Sequence, residues 1–286
     1  MRTVRFIGAG RAGRSLSTAL AAAGWDVVGL LGRRDDLTGA ATGVDVLVIA
    51  TPDDAVAEVA ATVRPQPDTA VLHLSGSLGL DVLAPHGRRA ALHPLVPLPN
   101  PTVGARRLAG GVTFAVAGDP VARQMAESLG GRTVEVADAD RAAYHAAACI
   151  AANHVVALLG QVERVATAVG LPLDAFLDLT RAAVDDVGRL GPRGALTGPA
   201  GRGDWATLAR HLDALPQEER AAYNAGVGLA LQLTVGGLRP DEPEPMPVAA
   251  VAAATPGAST GAPIADAADA EEAPEVRVPP VPAGVA

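Results

Sequence analysis

The stretch that most constrains this chain is its first thirteen residues. The apolar run Val4-Arg5-Phe6-Ile7 ends in Gly8-Ala9-Gly10-Arg11-Ala12-Gly13, with glycines spaced G-x-G-x-x-G, and a small-residue helical pattern follows from Ser15 to Ala23. That order predicts a strand, a tight turn and a helix. In such a unit the first glycine permits the turn, the second lets a pyrophosphate approach the backbone, and the third lets the helix pack close to the strand. The helix start, with the amides of Arg11 and Ala12, offers unpaired N–H groups and a partial positive charge that suit a phosphate. A second strand, Asp26 to Leu31, follows at the distance expected of a dinucleotide-binding unit.

The residue at the end of that second strand selects between cofactors. An acid there would take the ribose 2′-hydroxyl of NAD. Here the strand runs into Arg33-Arg34. A guanidinium fork suits a 2′-phosphate, so the expectation is NADP(H), against the alternative of a solvated basic turn in which Asp35 and Asp36 cap the next segment.

Strand–helix alternation continues to residue 137. Val44–Ala50 is apolar nearly throughout, as a buried parallel strand should be. It ends in Thr51-Pro52-Asp53-Asp54, ahead of a helix from Ala55 to Val63. Loops at the carboxyl ends of such strands face the ligand crevice, so the Thr51-Pro52 backbone is a candidate to line a nicotinamide, with Asp53 and Asp54 read as helix caps. Strand Ala70–Leu74 ends in Ser75-Gly76-Ser77, and strand Arg89–Leu92 ends in His93-Pro94. The proline forces an extended or turn conformation on His93, which makes it a candidate crevice residue; a structural histidine is the alternative. His73 reads as packed inside its strand. Pro97–Pro101 reads as a proline-rich excursion, followed by strand Val112–Ala117, helix Val121–Leu129 and strand Thr133–Ala137.

From Asp138 to Val235 the pattern is helical. Ala139 to Val169 reads as one long helix, stopped by Gly170-Leu171-Pro172. Helices Leu173–Leu190, Trp205–Leu215 and Glu218–Leu233 follow, with a glycine-rich loop from Gly191 to Asp204. From Gly237 onward Pro, Ala and acids dominate without periodicity, which predicts disorder. The expected organisation is an α/β domain over 1–137 built on a doubly wound parallel sheet, an all-α helical domain over 138–236, and a disordered acidic tail over 237–286.

Composition narrows the function. The net charge is −8, but the segment from Gly237 holds eight acids against two arginines, which leaves −2 for residues 1–236. A nearly neutral body argues against a nucleic-acid surface. Aromatic residues are only 2%, so the core must be built from small side chains. No apolar run is expected to span a membrane, and Gly8, Gly10 and Arg11 interrupt any signal-peptide core. One cysteine, Cys149, fits a reducing cytoplasm. The sequence has no lysine, which excludes a Schiff base and a lysine general acid. No spacing of His, Cys or acids matches a metal site.

The combination Gly8-x-Gly10-x-x-Gly13, Ser75-Gly76, His93-Pro94, Tyr144-His145, Asn153 and Leu196-Thr197-Gly198-Pro199-x-x-Arg202-Gly203-Asp204 resembles the Rossmann-like oxidoreductases whose C-terminal helical domain is a domain of unknown function. The resemblance covers residues 1 to about 235. It is similar in architecture to ketopantoate reductase, pyrroline-5-carboxylate reductase and 6-phosphogluconate dehydrogenase, and implies NADP-linked reduction and a homodimer formed through the helical domain. Several of those relatives use a lysine and an asparagine one turn apart. Here Asn153 matches the asparagine, while Cys149 stands where the lysine would be.

Reduction of a carbonyl or imine needs a hydride, a proton donor and an orienting clamp. His145, Cys149 and Asn153, at i, i+4 and i+8, follow one another along one helix face. His145 is the first candidate for proton donor, because an imidazole titrates near neutral pH. Asn153 is the candidate to bond the substrate oxygen and Arg202 to grip a substrate carboxylate, with His93 and Thr197 as further substrate contacts. Asp204 reads as the N-cap of the helix at Trp205, and Cys149 as a small packed residue. The expected activity is NADPH-dependent reduction of a small carboxylate-bearing carbonyl or imine, with ketopantoate as a test substrate by resemblance. A non-catalytic NADP(H) sensor or scaffold, or a deazaflavin- or flavin-linked oxidoreductase, are the alternatives.

Overall fold

The computed structural model describes residues 2–234; the tail expected to be disordered, 237–286, lies outside them. The chain forms two compact units, the first running to Phe176 and the second starting at Leu177. In the first unit, in chain order, are β1 (Thr3–Ile7), α1 (Arg11–Ala22), β2 (Asp26–Leu31), β3 (Val46–Ile49), α2 (Val56–Thr62), β4 (Ala70–His73), β5 (Arg88–Pro94), α3 (Pro101–Leu108), β6 (Thr113–Gly118), α4 (Val121–Ser128) and β7 (Arg132–Glu135). The strands make one seven-stranded sheet in the order β2-β1-β3-β4-β5-β6-β7.

Period-two alternation explains why β3 reads as apolar throughout. Val46 and Val48 face a core shared with Phe6, Leu16, Leu72, Leu92, Phe114 and Met125. Leu47 and Ile49 face a second core with Ile7, Val56, Ala60, Val71 and Leu83. Both faces of the sheet are covered, so successive side chains of the strand are buried on opposite sides. Helix contacts are close, as a chain poor in aromatics requires. A Cβ on Gly104 of α3 would run into Ser15 Oγ of α1.

Two features depart from the sequence reading. The sheet is not wholly parallel, since β6 runs antiparallel to β5 with Pro94 opposite Phe114. A parallel neighbour needs a crossover that carries the chain back to the other end of the sheet. The eight residues of α3 do not do so, and the chain enters β6 beside the point where it left β5, closed by Leu95 N donating to Thr113 O at 2.9 Å. The second departure is α3 itself, which begins inside the proline-rich excursion. Asn100 caps it by accepting from Val103 N at 2.9 Å, and Pro101 occupies its first turn.

After the sheet, α5 (Arg141–Cys149), a π turn (Ile150–His154) and α6 (Val155–Ala168) run on without interruption. From Asp138 to Ala168 this rod is long enough to cross a membrane, and its most apolar 18-residue stretch has a mean hydropathy of 1.5. The expectation that no run reaches that length is therefore corrected. Ala142 to Val162 holds no Asp, Glu, Lys, Arg or Pro. Its first turns nevertheless carry the polar Tyr144 and His145, which pack on a histidine of the sheet.

α7 (Asp174–Ala195) leads into the second unit and is broken at Gly191, where φ is 73° and Pro192 follows. There α8 (Trp205–Ala214) is capped by Asp204, which accepts from Thr207 N at 3.1 Å, as its sequence position suggests. α9 (Gln217–Thr234) ends the described chain.

Phe114 is fully buried in the larger core and lies under Gly131, where a Cβ would come within 2.5 Å of its ring. Phe114→Ala is expected to cost about 3–5 kcal/mol of stability, read as a lower urea midpoint with an unchanged slope.

Candidate active site

The glycine turn after β1 has the form a dinucleotide needs. Gly8 has φ 108°, and a Cβ there would lie 2.5 Å from Ala50 O, so the turn is pressed against the end of β3. A Cβ on Gly13 would run into Gly8 O, which requires glycine where α1 meets the turn. Around the Cβ position of Gly10, by contrast, no atom of the described residues beyond its own stretch of chain lies within 4 Å. Gly10 is the N-cap of α1 and gives no side-chain cap, so the first-turn amides at Arg11 and Ala12 are open to an anion. Thr51 follows β3, and its Oγ1 is buried without a hydrogen-bond partner among the described residues. Arg33 and Arg34 follow β2, exposed, with no hydrogen bond or ion pair among the described residues. An open backbone cradle, an orphan hydroxyl and two free guanidinium groups suit a phosphorylated dinucleotide.

The turn after β4 is fixed from below. Asp53 Oδ2 accepts from Ser75 Oγ at 2.6 Å and from Ser77 Oγ at 2.9 Å. Ser75 Oγ in turn accepts from the amides of Ser77 and Leu78. Asp53 thus anchors the neighbouring turn rather than capping a helix, whose N-cap is Pro52 and whose cap carries no side-chain bond. Ser75 and Gly76 are both buried.

Gly76 is where sheet and helix meet. A Cβ on it would lie 2.6 Å from His145 Cδ2 and 3.0 Å from both Cε1 and Nε2 of His93. The two imidazoles are edge to face, with centroids 5.7 Å apart. His93 Nδ1 is 2.6 Å from the Tyr144 hydroxyl. Burial, then the neighbouring His145 and Arg141, lower the His93 pKa to about 4, while burial raises the Tyr144 phenol to about 12. At neutral pH both are uncharged.

Arg141 lies one turn before His145 on the same helix and is completely buried. Its Nη1 reaches Ser75 O at 3.5 Å, and its Nε lies 3.5 Å from Asp138 Oδ1. Nε and Nη2 have no hydrogen-bond partner among the described residues. Asp138 also accepts from Leu80 N at 2.9 Å. The start of the helical rod is therefore tied to the turn after β4 at two points.

His93, His145, Cys149 and Asn153 line one cleft of about 530 Å³, which Pro94 to Pro97 also line. The shared helix face is thus present, with Cys149 Sγ 3.9 Å from His145 Nε2. Asn153 stands in the π turn, a distortion that recurs at functional sites. Thr197 and Arg202 belong to the second unit, where both are exposed and Arg202 ends the short turn Ala200–Arg202. Three residues escaped the sequence reading: Arg141, Asp138 and the Tyr144 hydroxyl as partner of His93. Only Arg141 left a signal, four residues before His145.

His73 is also fully buried, and burial, then Arg141, lower its pKa to about 4. Its folded pKa lies below the ordinary 6.5, so the unfolded chain binds the extra proton first. Stability is then full above about pH 6.5 and falls as the pH drops toward 4, by about 3 kcal/mol for this residue. Urea midpoints measured from pH 7 to pH 4.5 should decline, and His73→Gln should flatten that decline.

Among known families, the one described as Domain of unknown function (DUF2520) matches residues 111–228. Comparison with curated proteins gives no match. Solved structures share the fold. Protein BF3122 of Bacteroides fragilis, a proposed NADP oxidoreductase, has 20% identity and a TM-score of 0.68, over 81% of this chain and 98% of its own. Protein TM1727 of Thermotoga maritima has 23% identity and a TM-score of 0.61, over 80% and 97%. Pyrroline carboxylate reductase of Plasmodium falciparum, solved with NADP bound, has 14% identity and a TM-score of 0.55, over 81% and 98%. The chain therefore shares the fold of these structures, and its residues 111–228 match the family described as Domain of unknown function (DUF2520).

Proposed function

We propose that this protein is an NADPH-dependent oxidoreductase that reduces a carbonyl or imine on a small carboxylate-bearing substrate. The main support is positional. The glycine turn follows β1 and the Gly76 turn follows β4, and both strands run parallel within one sheet. Cradle and histidine cleft thus share the carboxyl-terminal edge, where open α/β sheets bind ligands. The P. falciparum relative, a pyrroline carboxylate reductase with NADP bound, supports the same class of chemistry.

Gly8, Gly10 and Gly13, with the amides of Arg11 and Ala12, would hold the pyrophosphate. Thr51, Pro52, Ser75 and Gly76 would line the nicotinamide half, and Arg33 and Arg34 the 2′-phosphate. The bound cofactor supplies a hydride. The chain's own task is to orient the acceptor group and move a proton. His145, half-buried in the cleft, gives the proton to the substrate oxygen or nitrogen. Asn153 donates a hydrogen bond that orients the acceptor, and His93 faces it from the sheet side. Arg202 is assigned the substrate carboxylate. The exposed Ile150, Val156 and Leu158 support a homodimer made through the helical rod, which light scattering should report as twice the chain mass.

Titration should show NADPH bound at least 10-fold more tightly than NADH, a preference that the double variant Arg33→Ala/Arg34→Ala erases. Across a panel of 2-oxo acids and cyclic imines, at least one compound should drive NADPH oxidation, and His145→Ala should lower kcat by about 10²–10⁴-fold. Arg202→Ala should raise KM for a carboxylate substrate but not for its amide. NADPH binding with no turnover across the panel would replace the reductase by a non-catalytic NADP(H) sensor.

A further inference from the structure

We infer that Tyr144 is a positioning residue that fixes His93 as the tautomer carrying its proton on Nε2, so that a neutral imidazole presents one N–H donor to the substrate's reacting oxygen or nitrogen. The inference deepens the reductase assignment and rests on it for the identity of the acceptor. The geometry itself belongs to the protein alone.

The direction of the hydrogen bond decides the tautomer. A 2.6 Å contact between the Tyr144 hydroxyl and His93 Nδ1 holds one proton. A phenol O–H is a strong donor, and the bare nitrogen of an imidazole is a strong acceptor. The reverse arrangement would turn the phenolic proton of the half-buried Tyr144 to solvent and make the phenol oxygen, a weaker acceptor than an imidazole nitrogen, take the bond, with no other protein partner for this hydroxyl among the described residues. Nδ1 therefore accepts, and the single ring proton of a neutral imidazole resides on Nε2.

That nitrogen has a defined outlook. Nε2 and Cε1 border the space that a Gly76 side chain would fill, and His145 Cδ2 borders it from the helix. His93 also lines the cleft that contains His145 and Asn153. Neutrality is secured by surroundings. Burial, the adjacent His145 and the buried Arg141 all disfavour an imidazolium at His93, and only Asp53 opposes them among the main contributors. A neutral imidazole N–H is a weak acid, so it can stabilise developing negative charge without giving up its proton. The proton that enters the product then comes from another group, and His93 undergoes no net change.

The test uses the full chain labelled with ¹⁵N-histidine, without cofactor. Long-range ¹H–¹⁵N correlation at pH 7 should show His93 in the Nε2–H form. Tyr144→Phe keeps the ring and removes only the hydroxyl; it should shift His93 to a mixture of tautomers. In turnover, Tyr144→Phe should lower kcat about 10–100-fold with little change in KM. His93→Gln carries an amide N–H near the Nε2 position and needs no partner on the helix, so adding Tyr144→Phe to it should cost nothing further. An Nδ1–H signal in the unsubstituted protein, or a tautomer that Tyr144→Phe leaves unmoved, would overturn the inference. So would an unchanged kcat in that variant. Absence of any turnover overturns the reductase assignment instead, and the tautomer is still decided by the spectrum.

Discussion

The contact on which this site depends is made at a residue with no side chain. Gly76 lies in the turn after β4, and the rings of His93 and His145 come within 2.6–3.0 Å of where its Cβ would stand. Only glycine lets the helical rod approach the sheet this closely. Three tethers hold the approach: Asp53 fixes the turn from the sheet side, Asp138 accepts from Leu80 N, and Arg141 lies beneath Ser75 O. The cost is visible in Arg141. A fully buried guanidinium whose Nε and Nη2 make no hydrogen bond among the described residues is unfavourable, and the half-exposed Asp138 carboxylate 3.5 Å from Nε offsets it only in part. Stability alone would favour an apolar residue there. The charge has another effect: it discourages protonation of His73 and His93, two histidines at the ends of adjacent strands.

Much of the fold was legible because its signals are local. The glycine spacing, the period-two burial of β3, and the stop at Gly170-Leu171-Pro172 each depend on a few neighbouring residues. The capping role of Asp204 was equally local. α3 was also written locally, in Asn100-Pro101, a cap followed by a first-turn proline, but the surrounding prolines obscured it. The direction of β6 could not be read, because it depends on whether α3 returns the chain across the sheet. That is a property of length and packing together. The site divides the same way. The face shared by His145, Cys149 and Asn153 follows from helix geometry, and His93 from its place before a proline. The hydroxyl of Tyr144 on His93 joins residues 51 apart in sequence, and the burial of Arg141 emerges only when rod and sheet close on each other. No periodicity encodes either.

The apolar rod shows how packing by small residues shapes hydropathy in such a chain. With aromatics at 2%, alanine carries the packing, and a helix rich in alanine and valine has the hydropathy of a membrane span. Its polar residues are not spread evenly along it. Arg141, Tyr144 and His145 form a turn at one end, and all three face a sheet that supplies partners for them. Farther along, Ile150, Val156 and Leu158 are exposed. The same helix thus carries polar contacts to the sheet at one end and exposed apolar area farther along.

The lack of lysine gives the pair of histidines its meaning. A reductase site needs one group that stabilises charge on the acceptor and one that delivers a proton, and a lysine beside an asparagine can combine much of this. The two imidazoles stand 5.7 Å apart, and the nearness of His145 is one of the influences that lower the His93 pKa. Their surroundings break the symmetry. His93 is enclosed by the sheet, bonded to a phenol and pushed toward neutrality; His145 lies on the helix and lines the cleft, with the Cys149 thiol 3.9 Å from its Nε2. Environments that differ in this way separate the roles of chemically identical groups. On the proposed activity, the enclosed ring serves as a fixed donor and the ring on the helix as the proton carrier. The helix that brings Tyr144 to the first ring is the same one that presents the second, so a shift of that helix would disturb both functions together.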